Sequence, residues 1–327
     1  MSKGNMPPRL GLFALVIGIT LGLLFVSVTI VESIVFPDLS ETQYESKTIW
    51  QDGISYYPRQ DISVFLLMGI DRSGPVADSG SYKNSGAADM VTLLVFNHTD
   101  KIYRVLTINR DSMVEMPVLG LNGKQAGSVV GQLALSHTYG NGLQESCENT
   151  AYTVSKLLSG TYIDYYISMN MDVVSILTNA VDGVKVNVRD NFSAVDDTIP
   201  KGEVILSGEQ AYKFVRTRKG VEDQLNLSRM DRQTEYMEGF IEAFRSNVGN
   251  NARKVLDIYE SVSPYIVTNC SKQIVLDLLN RLYDYSLAEV LTLPGTNVRG
   301  DEFMEFHLDD QELNSLILKL FYSQKHK

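Results

Sequence analysis

Three short apolar runs constrain this chain more than any other feature. They are Val64-Phe-Leu-Leu-Met-Gly-Ile-Asp71, Met90-Val-Thr-Leu-Leu-Val-Phe96 and Tyr103-Arg-Val-Leu-Thr-Ile-Asn-Arg110. Runs this short and this apolar suit strands buried on both faces, in a sheet with helices packed on each side. The turn cluster Asn97-His-Thr-Asp100 makes the second and third a hairpin. Apolar spacing predicts helices over Gly142 to Leu158 and Asp172 to Ala180, and strands over Tyr162 to Met169 and Gly183 to Val188. Ser207-Gly-Glu-Gln210 has the form of a capping box, opening a helix that runs into Arg216. Ser228 is expected to cap the next helix. Beyond Asn247 the pattern reads as mainly helical as far as Thr292-Leu-Pro-Gly295, and the chain ends in an amphipathic helix from Leu308 to Tyr322.

Ahead of the strands, Leu10 to Val31 is an uncharged apolar run, long enough to cross a bilayer core as a helix. Lys3 and Arg9 precede it, while Glu32, Asp38 and Glu41 follow it. That asymmetry leaves the N-terminus cytoplasmic and the rest of the chain extracellular, as a single-pass cell-membrane protein. A cleaved signal peptide is the competing reading, but the run is long for one and no clear small-x-small site follows Glu32. The expected layout is a tail over 1–9, a transmembrane helix over 10–31, a stalk over 32–60, a folded domain over 61–247 and a mainly helical extension over 248–327. A net charge of −10 argues against nucleic acid as a partner. Cys147 and Cys270 would both lie in the oxidising compartment; whether they pair is left open by the sequence.

Within this acidic chain Arg216, Arg218, Arg229 and Arg232 lie close together. Guanidinium forks match phosphate and carboxylate oxygens, although salt bridges to Glu222, Asp223 and Asp231 explain such a cluster as well. Arg229, Arg232 and Gln233 share one helix face. Arg229 also falls in a first helical turn, where a cation opposes the dipole unless an anion sits there. Arg110-Asp111 follows the third strand, at the kind of strand end where α/β sheets bind ligands; a structural ion pair is the plainer explanation. Asp71 and Asp89 flank the loop from Arg72 to Ala88. Mg²⁺ takes one or two carboxylates plus phosphate oxygens, but acids at strand ends are often only turn formers. His137 reads as a structural residue. Zinc-ligand spacing, a P-loop and a G-x-S-x-G element are all missing from the sequence.

In order and spacing these segments resemble the LytR-CpsA-Psr family of bacterial cell-envelope proteins. The resemblance rests on Leu-Leu-Met-Gly-Ile-Asp71, Ala-Asp-Met-Val-Thr-Leu-Leu around Asp89, and Thr-Ile-Asn-Arg-Asp-Ser112. It continues through Asp182-Gly-Val-Lys-Val-Asn-Val188, Leu206-Ser-Gly-Glu-Gln-Ala-Tyr212, Phe-Val-Arg-Thr-Arg218 and Arg-Met-Asp-Arg-Gln233. It implies a three-layer α/β/α domain with a central mixed sheet and an apolar cavity for a polyprenyl chain. It also implies transfer of a phosphoglycopolymer from a polyprenyl-pyrophosphate carrier to peptidoglycan, beside membrane lipid. By position, Asp71 and Asp89 match the family's Mg²⁺ acids, and Arg110, Arg216, Arg218, Arg229 and Gln233 its pyrophosphate set. Arg110 and Arg229 are thereby candidates for charge stabilisation in catalysis; Asp111 and Asp223 are alternative general bases. Asn226 stands where the family often has Asp, and Gln132 where it often has Lys. Those two departures favour a second reading, a non-catalytic polyprenyl-phosphate-binding sensor or scaffold.

Overall fold

The computed structural model describes residues 48–84, 86–120, 123–217, 220–221, 226–248, 251–271, 274 and 285–324. The expected tail and transmembrane run fall outside the described residues. Among those described, no helix is long and apolar enough to cross a membrane.

In chain order the strands are β1 (Ile49–Gln51), β2 (Ile54–Pro58), β3 (Ile62–Ile70), β4 (Ala88–Asn97), β5 (Ile102–Ile108), β6 (Met113–Leu119), β7 (Gln125–Gln132), β8 (Tyr165–Asn170), β9 (Val184–Val188), β10 (Gly202–Leu206), β11 (Ile266–Thr268), β12 (Ser286–Thr292), β13 (Gly295–Arg299), β14 (Met304–Leu308) and β15 (Tyr322–Gln324). The helices are α1 (Gln144–Leu157), α2 (Asp172–Ala180), α3 (Gly208–Arg216), α4 (Asn226–Asn247), α5 (Ala252–Val262) and α6 (Asp310–Phe321). Two compact units result. The larger comprises the described residues within 48–170, 266–270 and 288–324, and the smaller those within 171–265 and 271–287.

The larger unit is built on a six-stranded sheet in the order β11-β8-β3-β4-β5-β12. β3 runs parallel to β8 and antiparallel to β4, and β4 is antiparallel to β5, so the sheet is mixed. The first two apolar runs form its centre, and Val64 to Met68 are all buried. Strand alternation sends Val64, Leu66, Met68 and Ile70 to one face. There they join Val91, Leu93 and Val95, with Cys147, Ala151 and Val154 of α1 and Leu313, Ile317 and Leu320 of α6. Phe65, Phe96 and Tyr103 point the other way as an aromatic row, with ring centroids 5.7 and 5.5 Å apart. Cys147 and Cys270 are both free thiols.

Two boundary expectations need correction. The end of the supposed stalk is folded: β1 and β2 form a hairpin over Asp52-Gly53, both with positive φ, and β15 adds a third strand beside β2. Ile49 and Tyr56 pack against the core, which a solvated stalk would not do. Residues 248–327 are also not mainly helical where described, since they supply β11 to β15, with β11 and β12 in the central sheet. Strands of three to seven residues gave too little alternation to be read against the helical pattern around them.

The smaller unit pairs β9 with β10 antiparallel, and Val184, Val186 and Val188 are its buried face. Gly239 of α4 approaches β9 so closely that a Cβ would overlap the Lys185 carbonyl. Ser207 caps α3 as the sequence predicts: its backbone N–H donates to Gln210 Oε1 at 2.9 Å, and Gln210 N–H returns to Ser207 Oγ. Ser228, by contrast, lies inside α4, which already begins at Asn226.

Candidate active site

Within the larger unit, a break in strand register places the acids. Gly69 pairs with Met90 but Ile70 pairs with Ala88, so Asp89 occupies a β-bulge. Bulges re-aim side chains, and here the bulge falls at the end of the two central strands. Beyond it the ladder resumes, with Asp71 N–H donating to Ala87 O at 2.9 Å. Asp71 and Asp89 therefore stand at the same end of neighbouring strands. β5 ends at the same level, because Ile108 pairs with Val91, and Arg110 follows two residues later. The Arg110 guanidinium donates to the Asp89 carboxylate through Nη1 and to Asp111 Oδ1 through Nε at 3.2 Å.

Asp111 is held from further sides. Its N–H donates to Asn109 Oδ1 at 2.9 Å, and its carbonyl accepts from Phe306 N–H of β14 at 2.9 Å. Gln132, at the end of β7, donates from Nε2 to Asp111 Oδ1 at 2.9 Å and to Met304 O at 2.8 Å. Gln132 thus couples the β6–β7 ribbon and the β13–β14 ribbon to this carboxylate. Side chains of Arg110, Asp89 and Asp111 are 18–21 % exposed, so solvent reaches them.

The loop between the acids is tied down. Asn84 is buried, donates to His137 O at 2.8 Å and Ser146 Oγ at 3.0 Å, and accepts from Gly86 N–H at 2.7 Å. His137 lies 1 % exposed with Nδ1 2.8 Å from Gly86 O. A carbonyl only accepts, so Nδ1 carries the proton. Burial pushes this imidazole down to about 4, with Arg72 adding to the effect. It is a neutral structural residue, as expected. Arg72, which belongs to none of the sequence motifs, lies across Gly86: a Cβ there would meet Arg72 Cδ at 2.6 Å and Ile70 Cγ2 at 2.9 Å. The one sequence signal was its position directly after Asp71.

In the smaller unit the arginines divide. Arg232 is buried. Its Nε donates to Phe214 O at 3.0 Å, its other nitrogens to Asp190 and Thr217 O, and the guanidinium lies 5.5 Å from the Phe192 ring centroid. This is a structural clamp on the end of α3. Gln233 adds a bond from Nε2 to Val215 O at 3.2 Å. Arg216 ends the clamped helix and is exposed, with Nη1 donating to Tyr212 OH at 2.6 Å. Arg218, Asp223 and the Arg229 side chain lie outside the described residues.

Mg²⁺ can be tested against the donor set. Among the described residues no group of three or more acidic, His or Cys side chains forms a cage for a metal ion. Two carboxylates at one sheet end fit the other kind of Mg²⁺ site, in which substrate phosphates complete the coordination.

The larger unit is thus a mixed α/β sheet that gathers an acid–arginine–acid cluster at its strand ends. The LytR_cpsA_psr family model matches residues 37–321, and the chain belongs to that family. The match runs well past Asn247, so β11 to β14 fall within it. An Enterococcus faecalis relative, polyisoprenyl-teichoic acid–peptidoglycan teichoic acid transferase TagU, is 28 % identical over 322 residues, covering 96 % of this chain and 95 % of the relative. The TagT transferase of Bacillus subtilis is 26 % identical over 267 residues, covering 79 % and 76 %. The crystal structure of B. subtilis TagV shares the fold, with a TM-score of 0.59 and 24 % identity over 80 % of this chain and 96 % of that one.

Proposed function

We propose that this protein transfers a phosphoglycopolymer from a polyprenyl-pyrophosphate carrier to peptidoglycan, as an enzyme anchored to the cell membrane by residues 10–31. The carrying observation is the Asp89–Arg110–Asp111 cluster at the bulged end of the central strands. The names of the TagU and TagT relatives support the polymer and acceptor classes.

Phosphoryl transfer calls for positioning and charge neutralisation rather than covalent help from the protein. Asp71, Asp89 and Asp111 outnumber the guanidinium groups of Arg72 and Arg110, and a patch of that sign repels a diphosphate. Mg²⁺ held by Asp71 and Asp89 would reverse the sign and stabilise charge on the phosphates. Arg110 supplies a fork for phosphate oxygens once a ligand competes with its carboxylate partners. Asp111, oriented by Arg110 and Gln132, is the base candidate with a described geometry; Asp223 is the alternative. Arg216, at the end of α3, is assigned to the diphosphate by the resemblance. Arg218, Arg229 and Gln233 are assigned to that ligand by the resemblance alone.

The test uses the full chain, a lipid-linked donor, peptidoglycan and Mg²⁺. Transfer is expected, with Arg110→Ala lowering it about 10²–10³-fold while the circular dichroism spectrum stays unchanged. Full turnover by Arg110→Ala overturns the role of this cluster. Polymer released equally without acceptor would make the protein a hydrolase. Lipid bound without turnover would support the sensor reading, which the neutral Gln132 favours.

A further inference from the structure

We propose that the outer face of the β1–β2 hairpin is a membrane-contact surface that seats the folded domain on the bilayer. The inference rests on the proposed anchor at residues 10–31 and adds a second, structured contact. Trp50 is the chain's single tryptophan and is 73 % exposed. Ile54 and Tyr57 of β2 are 41 % and 38 % exposed. Trp50 pairs with Ser55, and Tyr57 stands two residues on, so the two aromatic side chains share one face. Ser323 of β15, opposite Tyr57, continues that face, and none of these described residues is charged. Ile54, opposite Gln51, lies on the other face with Tyr56. Apolar side chains exposed together on an otherwise polar rim mark an interaction surface.

Position in the chain selects the bilayer as occupant. The hairpin is the first described element after the apolar run, so its tether to the membrane is shorter than that of any later described element. A short tether gives a high effective concentration of the bilayer at this surface. Trp and Tyr are the residues enriched at the headgroup level, where an apolar body and a polar edge are both satisfied. The hairpin is fixed to the body: β15 pairs along β2, and Arg59 N–H donates to Phe321 O at 2.9 Å. Asp52 is the single charge on the hairpin, in its turn.

Because Trp50 is the only tryptophan, its fluorescence reports on this surface alone. The full chain is reconstituted into phosphatidylglycerol–phosphatidylcholine vesicles with and without brominated acyl chains. Expected are blue-shifted emission, strong quenching by the brominated lipid and protection from iodide. The variant Tyr57→Ser keeps the probe and is expected to shift emission to the red and weaken the lipid quenching. Water-like emission, open to iodide and indifferent to brominated lipid, overturns the proposal. So does emission that depends on protein concentration and not on lipid, which would assign the face to a second copy of the chain. Carbonate extraction separates this from the anchor: release from the vesicles sinks the anchor reading, while retention with a water-like Trp50 sinks only the hairpin contact.

Discussion

Acidification should loosen the larger unit through a single buried imidazole. His137 is neutral in the fold, with Nδ1–H bonded to Gly86 O and Nε2 facing Cys147 Sγ at 3.9 Å. A second proton on the ring would sit beside that buried thiol, within the field of Arg72. The folded pKa is about 4 against an ordinary 6.5. Between these values the unfolded chain binds the proton more readily than the folded one, so stability falls as pH falls. The contribution is complete above pH 6.5 and gone by about pH 4. At 1.36 kcal/mol per tenfold change it amounts to roughly 3 kcal/mol. Glu148 acts in the opposite sense, because burial raises its carboxyl to about 6. Uptake of that proton on acidification stabilises the fold, but the side chain is half-buried and solvent screening reduces the effect. The His137 effect therefore outweighs that of Glu148. Urea denaturation of wild type and His137→Asn, at about pH 7 and about pH 4.5, isolates it. Asparagine retains a donor for Gly86 O but does not titrate in this range. Wild type should lose roughly 2–3 kcal/mol more than the variant over that interval. Equal losses in the two proteins would refute the assignment. The expected functional trace is a fall in turnover in parallel, since Gly86 leads into the bulge that holds Asp89.

Other perturbations separate structure from chemistry. Arg232→Ala strands Asp190 and the carbonyls of Phe214 and Thr217, at a cost of about 3–5 kcal/mol; a loss below about 1 kcal/mol in chemical denaturation would show the clamp to be dispensable. Gly239→Ala drives a methyl into the Lys185 carbonyl and should destabilise by about 1–3 kcal/mol, read as a lower melting temperature. Asp89→Asn should preserve the fold and lower polymer transfer about 10²–10³-fold. Chelation of Mg²⁺ should stop transfer reversibly, and undiminished turnover in EDTA would remove the metal from the reaction.

What the sequence discloses here depends on whether a residue's partner is near in sequence or in space. The strands β3, β4 and β5 were legible because burial on both faces leaves a contiguous apolar run, and the cap at Ser207 because its partner lies three residues on. β6 and β7 were not legible. β7 reads Gln-Ala-Gly-Ser-Val-Val-Gly-Gln and is exposed over most of its length, so no apolar period marks it. The Asp52-Gly53 turn did carry a hairpin signal, but β1 and β2 are too short for alternation to stand out without β15 beside them. The same distinction runs through the site. Arg110 and Asp111 were visible as charges closing an apolar strand. The bulge that aims Asp89 at Arg110 is a register event between two strands and leaves no trace in either. Arg232 shows the converse. Its spacing from Arg229 and Gln233 suggested a shared ligand face, yet burial and three protein acceptors make it part of the frame. Charge in a sequence therefore marks where electrostatics matter, and only the acceptors gathered around each guanidinium decide whether it is spent on the fold or left for a ligand.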